Sequence, residues 1–116
     1  MNKLAYSALA LSLALAAGAA QAGNPEAGKE KSRTCAACHG ADGNSASPDF
    51  PRIAGQHYDY LIKAMNDYKS GKRKNPIMGP QAAPLSQRDI EDLSAYFSHQ
   101  QGLVTRKNSY LVERHK

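Results

Sequence analysis

The sequence lacks the patterns that indicate several common architectures. No segment alternates apolar and polar residues as a half-buried strand does, and there is no internal repeat and no low-complexity block. No nucleic-acid-binding motif is visible. After the first 22 residues no apolar run approaches the roughly 20 residues needed to span a bilayer. These absences predict a small all-α protein with long loops and no nucleic-acid partner.

Cysteine is also scarce, and both copies lie in one motif. Cys35 and Cys38 are three positions apart and His39 follows at once. A thioredoxin-like pair needs a βαβ context, and a zinc site needs further ligands in a regular pattern, which His57 and His99 do not supply. A disulfide between these cysteines would close a small, strained loop and leave His39 unexplained. The spacing predicts one covalently attached haem c, with two thioether bonds and His39 as an axial iron ligand.

Large apolar side chains are few outside the N-terminal segment. The chain has two phenylalanines and no tryptophan among 116 residues. A domain this small buries a modest fraction of its surface and usually needs a covalent or metal staple. A flat apolar haem would fill the centre that the side chains cannot fill.

The first 22 residues resemble a leader and not part of the fold. Lys3 gives a positive start, Leu4–Ala17 is apolar, and Ala20-Gln21-Ala22 is a small-x-small cleavage signal. The alternative is an uncleaved N-terminal anchor helix. We expect a cleaved secretory signal peptide over residues 1–22, a periplasmic location and no stable membrane insertion after cleavage.

The remaining chain divides into a domain at 23–102 and a basic extension at 103–116 that has no assigned role. Removal of the leader leaves 14 Lys and Arg (15 − 1) against 10 Asp and Glu, a formal charge of +4 before haem is counted. Positive charge on an exported protein favours an acidic partner. A basic cluster, Lys69, Lys72, Arg73 and Lys74, precedes Met78 and either borders a docking face or is a solvated helix end.

Three main helices are predicted from caps and apolar periodicity. Asn24 and Pro25 begin the first, which we expect to reach about Ala36. The second runs from Gln56 to Ser70, where Gly71 ends it. Its apolar stripe comprises Tyr58, Leu61, Ile62, Met65 and Tyr68.

Ser86 begins the third helix, with Asp89 in a near capping box, and Gly102 is expected as the residue just after its end. Residues 40–55 and 75–85 are predicted to be loops. Gly28 either allows close helix packing or only weakens the first helix.

Electron transfer by haem favours a second axial ligand, and a thioether raises the reduction potential. Met65 lies on the apolar stripe, so it is better explained as a core residue. Met78 lies in a Pro/Gly-rich segment that can bend its side chain onto the iron. His57 and His99 are more typical of surface or capping positions. Met78 is therefore the predicted sixth ligand.

At this point the chain resembles the class I cytochromes c, and most closely the small bacterial c5/c553 and c4-type cytochromes. The resemblance covers nearly all of Asn24 to Gly102. It rests on Cys35–Gly40, Phe50–Gln56, Tyr60–Leu61, the Met78 loop, Leu85–Ile90 and Ala95–Phe97. Two features depart from the family pattern. A c4 protein normally has two haem domains and this chain has one haem motif, and the extension after Gly102 is outside the common core.

The resemblance implies further roles. The Pro51 carbonyl would accept a hydrogen bond from His39 Nδ1–H; the alternative is that Pro51 is an ordinary turn proline. Arg52 is either a haem propionate contact or a solvated surface residue. The first and last helices would cross closely, which puts Gly28 against Tyr96 and Phe97.

The function we expect is a non-enzymatic, periplasmic electron carrier that exchanges single electrons with redox proteins. Two alternatives stay open at this stage. If Met78 leaves the iron easily, the protein would be a haem sensor or catalytic subunit that binds a small gas or peroxide. If residues 103–116 are an attachment, it would be the haem-bearing subunit of a larger dehydrogenase or oxidase.

Overall fold

A computed structural model describes residues 22–103, and these form five helices with no strand. In chain order they are α1 (Pro25–Lys31), α2 (Arg33–His39), α3 (Tyr58–Ser70), α4 (Met78–Ala82) and α5 (Gln87–Ser98). The all-α class predicted from the sequence is confirmed for this part of the chain. The predicted leader, apart from Ala22, and the extension, apart from Leu103, lie outside the described residues.

The first predicted helix is divided in two at Ser32, so the prediction of one continuous helix from Pro25 was wrong. Asn24 begins α1 as expected, because its side chain accepts hydrogen bonds from the N–H groups of Glu26 and Ala27. Ser32 Oγ donates to the Lys29 carbonyl at 2.7 Å. A serine hydroxyl that donates to a backbone carbonyl competes with the N–H groups that form the helix hydrogen bonds. The second helix, α2, starts at the next residue, Arg33.

The middle helix α3 begins at Tyr58, two residues later than predicted, with His57 at the N-cap position. It ends as predicted, since Gly71 adopts the left-handed conformation at φ 76°. The N–H of Arg73 then donates to the Asp67 carbonyl at 2.9 Å, which satisfies one of the last helical acceptors. This turn sends the chain back towards α4.

Residues 75–85 contain a helix and are not entirely loop, which corrects the sequence prediction. The short α4 contacts α3 and buries Ala82. The N–H groups of Gly79 and Ala83 donate to the carbonyls of Asn75 and Gly79, so this segment forms helical hydrogen bonds despite its three prolines.

The last helix α5 begins with the capping box predicted at Ser86 and Asp89. Its end differs from the prediction: it finishes at Ser98, with His99 as C-cap, and Gly102 is not the terminating residue. Gly102 instead passes close to Ala54, whose carbonyl oxygen would lie 2.5 Å from a Cβ at that position.

Helices α1 and α5 cross at close range through Gly28. A Cβ on Gly28 would lie 2.0 Å from the Asp92 carbonyl oxygen and 2.8 Å from Tyr96 Cβ. The expected contact with Tyr96 is present, and the backbone of Asp92 lies closer still. The expected position of Gly28 against Phe97 stays a prediction. Gly28 therefore allows the crossing and is not only a helix-weakening residue.

The core between α3 and α5 is small. Its buried members are Leu61, Leu93 and Phe97, with Cys35, Ile53, Leu85 and Tyr96 half-buried against them. Among residues 22–103 no helix is both long and apolar enough to cross a membrane.

Candidate haem-binding site

The two cysteines lie on α2, one helical turn apart and therefore on the same side of the helix. Both thiols are free and half-buried. Burial raises the pKa of the Cys35 thiol, so the group is uncharged at neutral pH in this environment. Because Cys35 packs against the core of Leu61, Leu93 and Phe97, a group attached here would meet that core.

His39 is the last residue of α2 and is buried, with 7% of its surface exposed. Its Nδ1 lies 2.8 Å from the carbonyl oxygen of Pro51. A carbonyl can only accept, so Nδ1 carries the hydrogen and donates it. In the neutral ring this leaves the lone pair on Nε2, which is the atom that can bind a metal.

The loop after His39 is tied back to the cysteine motif by contacts that the sequence did not reveal. Ser45, which is buried, donates from Oγ to the Cys38 carbonyl at 3.2 Å. The Tyr96 hydroxyl donates to the Ala41 carbonyl at 2.8 Å. The only sequence signal was the apolar position of Tyr96 beside the inner face of α5.

Gly43 forms the turn that brings Pro51 back to His39. Its carbonyl accepts from the N–H groups of Ile53 and Ala54, at 2.8 and 3.1 Å. Its φ of 83° favours glycine, and a Cβ there would lie 2.9 Å from the Phe97 ring. The turn thus connects the histidine, its carbonyl partner and α5.

Met78 is half-buried and is the first residue of α4. Asn75 fixes this position: its Oδ1 accepts from the N–H groups of Ile77 and Met78, at 2.9 and 2.8 Å. We did not predict this cap, although Asn75-Pro76 repeats the Asn24-Pro25 signal at the start of α1.

The other candidate ligands lie on α3 and at the ends of α3 and α5. Met65 is half-buried in α3, and His57 is exposed at the N-cap of α3. His99 is exposed at the end of α5, where Nδ1 lies 2.6 Å from the Ala95 carbonyl oxygen and donates to it.

Arg52 is exposed, and its charge contributes to the environment of Asp42. The pKa of the Asp42 carboxyl is lowered, first by hydrogen bonds from Asn44 and in smaller part by Arg52. A role for Arg52 at a haem propionate stays a prediction.

All four cations of the basic cluster are exposed, and two of them also make contacts within the protein. Lys69 donates to the carbonyls of Ala83 and Leu85 and so joins α3 to the end of α4. The Arg73 guanidinium lies 4.9 Å from the centre of the Tyr68 ring. Lys72 and Lys74 are exposed without a comparable contact among the described residues, so a docking role would fall mainly to these two lysines.

These residues fit a covalently held haem. Two thiols share one side of α2, the adjacent imidazole has Nε2 available, and Cys35 packs against the apolar core. Sulfur and imidazole nitrogen are the donor types that haem iron uses, and Met78 adds a thioether. The small core of Leu61, Leu93 and Phe97 is consistent with a fold completed by a large apolar group.

The comparisons with known proteins identify the family of the chain. The cytochrome c family model matches residues 25–101. Cytochrome c4 of Pseudomonas aeruginosa is 46% identical over 112 residues, which are 97% of this chain and 55% of that protein. Cytochrome c-554(548) of Halomonas halodenitrificans is 42% identical over 83 residues, which are 69% of this chain and 100% of that protein.

Among solved structures, reduced cytochrome c4 from Pseudomonas stutzeri is similar with a TM-score of 0.67 and 47% identity, over 72% of this chain and 48% of that one. The chain therefore spans about half the length of the cytochrome c4 proteins that it matches. The class I cytochrome c fold and the covalent haem c cofactor predicted from the sequence are confirmed at the level of the family. With its family match and these relatives, the chain belongs to the cytochrome c family.

Proposed function

We propose that this protein is a periplasmic electron carrier with one haem c, held by thioethers to Cys35 and Cys38 and ligated by His39 and Met78. The observation that carries the proposal is the 2.8 Å contact between His39 Nδ1 and the Pro51 carbonyl, which leaves Nε2 available for iron. Bound haem c supplies the chemistry, one-electron exchange between ferric and ferrous iron.

The chain's own contribution at the proximal side is orientation. The Pro51 carbonyl holds the imidazole in one tautomer and makes the opposite nitrogen a stronger ligand. The loop that carries Pro51 is itself fixed by Gly43, and the cysteine motif by Ser45. The ligand therefore needs little rearrangement when the charge on iron changes.

The second contribution of the chain is the thioether of Met78, whose backbone is held in place at both ends of α4. Asn75 caps the turn before Met78, and Lys69 fixes the far end of α4 through the Ala83 and Leu85 carbonyls. Methionine paired with histidine raises the reduction potential, as suits a carrier. If His39 and Met78 both bind the iron, no ligand would have to enter or leave during electron transfer.

Export and partners complete the proposal. The Ala20-Gln21-Ala22 signal supports export to the periplasm, and cytochromes c4 are proteins that exchange electrons with redox partners. Lys72 and Lys74, exposed beside the Met78 segment, would steer an acidic redox partner to the haem edge. We further propose that Arg52 contacts a haem propionate.

The test is an optical spectrum of the exported protein, oxidised and reduced. The wild type should be low-spin, with the weak far-red band of ferric–methionine ligation. Met78→Leu should lose that band and have a lower reduction potential, whereas Met65→Leu should keep both. A high-spin wild-type spectrum that shifts with carbon monoxide would contradict the carrier and support the gas-binding alternative.

A further inference from the structure

Gly23, the residue just after the small-x-small signal, is held in place by contacts with the folded domain. The backbone N–H of Gly23 donates to the Tyr58 hydroxyl of α3 at 3.0 Å. The next N–H, on Asn24, donates to Asp92 Oδ1 of α5 at 2.8 Å. The start of the domain is thus attached to two helices that are 35 and 68 residues further along the chain.

There is no room for a side chain at this position. A Cβ on Gly23 would lie 2.0 Å from the carbonyl oxygen of Glu91 and 2.8 Å from the Asp92 N–H nitrogen. Both atoms belong to the α5 backbone, which cannot move aside as a flexible side chain would. Glycine is therefore required where the chain first meets the folded domain.

We infer that processing cuts the Ala22–Gly23 bond and that the new α-ammonium group of Gly23 is anchored on Tyr58 as part of the mature fold. This inference rests on the export included in the proposed function. Hydrolysis by an export-associated peptidase consumes one water, leaves a carboxylate on Ala22 and frees the Gly23 nitrogen as an ammonium group.

The surroundings suit a positive charge at this nitrogen. Tyr58 presents its hydroxyl oxygen as an acceptor, and the Glu91 carbonyl lies against the Gly23 backbone. The buried Asp92 carboxylate bonds the adjacent N–H and is shared with Lys31 and Arg88. A hydrogen bond to a charged group is stronger than one to the neutral amide that it replaces.

The experiment uses the exported holoprotein. Mass spectrometry of its N-terminal peptide should give Gly23 as the first residue. Limited acylation at neutral pH should modify the α-amine of wild type roughly three- to tenfold more slowly than that of a free peptide of the same first residues, the range expected for one hydrogen bond.

Tyr58→Phe should raise the acylation rate towards that of the peptide, and Tyr60→Phe is the matched control. Tyr60 is on the same helix, and its hydroxyl lies 3.5 Å from Arg73 Nη1. Tyr60→Phe should leave the rate unchanged.

A different N-terminal residue, a wild-type amine that reacts as fast as the peptide, or equal rates in wild type and Tyr58→Phe would each overturn the inference. A wild-type spectrum without methionine ligation would contradict the carrier but leave these results standing.

Discussion

Gly28 sets how closely α1 approaches α5, and an alanine there should be costly. The added Cβ would lie 2.0 Å from the Asp92 carbonyl oxygen, so one helix has to shift. Overpacking of this kind costs about 1–3 kcal/mol, which exceeds the gain of up to about 1 kcal/mol from replacing glycine in a helix. We expect Gly28→Ala to lower the free energy of unfolding by about 2 kcal/mol in a denaturant titration.

Gly79 is the matched control for this substitution. It lies in α4, and a Cβ there would have no neighbour within 4 Å. Gly79→Ala should raise the free energy of unfolding by about 0.5–1 kcal/mol through helix propensity alone. Equal effects of the two substitutions would contradict the close crossing.

Asn75 caps the turn before Met78, and its removal should weaken axial ligation. Asn75→Ala removes the acceptor for the N–H groups of Ile77 and Met78, a loss of about 1 kcal/mol. A less restrained Met78 should be displaced more easily by an added ligand. We expect the ferric Asn75→Ala protein to bind imidazole more tightly than wild type does. The measurement is the loss of the far-red band as imidazole is added.

Asn24→Ala separates this effect from general destabilisation. Asn24 makes the equivalent two hydrogen bonds at the start of α1, which contacts α2 and α5 but not α4. It should cost similar stability and leave imidazole binding unchanged. If both variants bind imidazole alike, Asn75 has no specific role in holding Met78.

These residues also show what the sequence could reveal. The caps at Asn24 and Ser86 and the stop at Gly71 use groups within a few positions, and all three were predicted from the sequence. Ser45 and Tyr96 bond to carbonyls 7 and 55 positions away, so no local rule identifies them. Asn75 was missed because its neighbouring prolines indicated only a loop.

At the scale of elements, α1 and α5 are joined by a group of charges as well as by Gly28. Lys31 Nζ lies 2.7 Å from Asp92 Oδ2 and 2.8 Å from Asp89 Oδ1. Arg88 Nε approaches the other oxygen of Asp92 at 3.2 Å. The Asp92 side chain is only 3% exposed, so its charge depends on these partners.

The acidic groups of this cluster have depressed pKa values. Lys31, with further hydrogen bonds from Ser86, lowers the pKa of Asp89 from 3.8 to about 2. Burial alone would raise the pKa of Asp92, but the hydrogen bonds from Lys31 and Asn24 and the charges of Lys31 and Arg88 outweigh it and lower the value. The stabilisation from these carboxylates is therefore full above about pH 4 and is lost as pH falls towards 2.

Lys31→Gln should make the protein more sensitive to acid. Without the lysine, the folded-state pKa of Asp89 returns towards its ordinary value, and the acid-unfolding midpoint should move to higher pH. At pH 7 the variant should also be less stable than wild type, because Asp92, whose side chain is only 3% exposed, loses one of its positive partners. The measurement is helical circular dichroism against pH for the holoprotein.

Lys29→Gln is the control, because Lys29 is an exposed lysine on the same helix. The two variants should differ in stability at pH 7 and converge near pH 2. Identical acid midpoints would show that the Lys31 contacts contribute nothing measurable.

Helix existence was easier to predict than helix continuity. The apolar stripe of α3 and the capping box of α5 are repeated local patterns. The break at Ser32 coincides with one side-chain hydrogen bond, and α4 has only five residues. Features this local leave no trace in the periodicity of apolar residues. The same limit applies to the site: its motif is visible in the sequence, whereas the folding that brings Pro51 to His39 depends on Gly43 and α5.

At the scale of the whole molecule, charge and exposure determine how a partner would approach. Lys69, Lys72, Arg73 and Lys74 are all exposed shortly before Met78 in the chain, and Lys69 and Arg73 also contact other groups of the protein. Ile77, 52% exposed, adds an apolar contact in the same region. A surface of this kind suits a brief encounter guided by charge and completed by apolar contact.

Salt should slow electron transfer to an acidic partner, because ions screen the attraction between exposed charges. We expect the bimolecular rate to fall roughly tenfold or more from low to high ionic strength. The double variant Lys72→Gln/Lys74→Gln should be slower at low salt and show a flatter dependence, with the reduction potential unchanged. Lys29→Gln, which removes a charge on α1, should retain most of the wild-type slope. Stopped-flow reduction at several ionic strengths measures all three proteins. If the double variant changes the slope by no more than twice the change caused by Lys29→Gln, only net charge matters and the docking face proposed at Lys72 and Lys74 is wrong, since the double variant removes two charges and the control one.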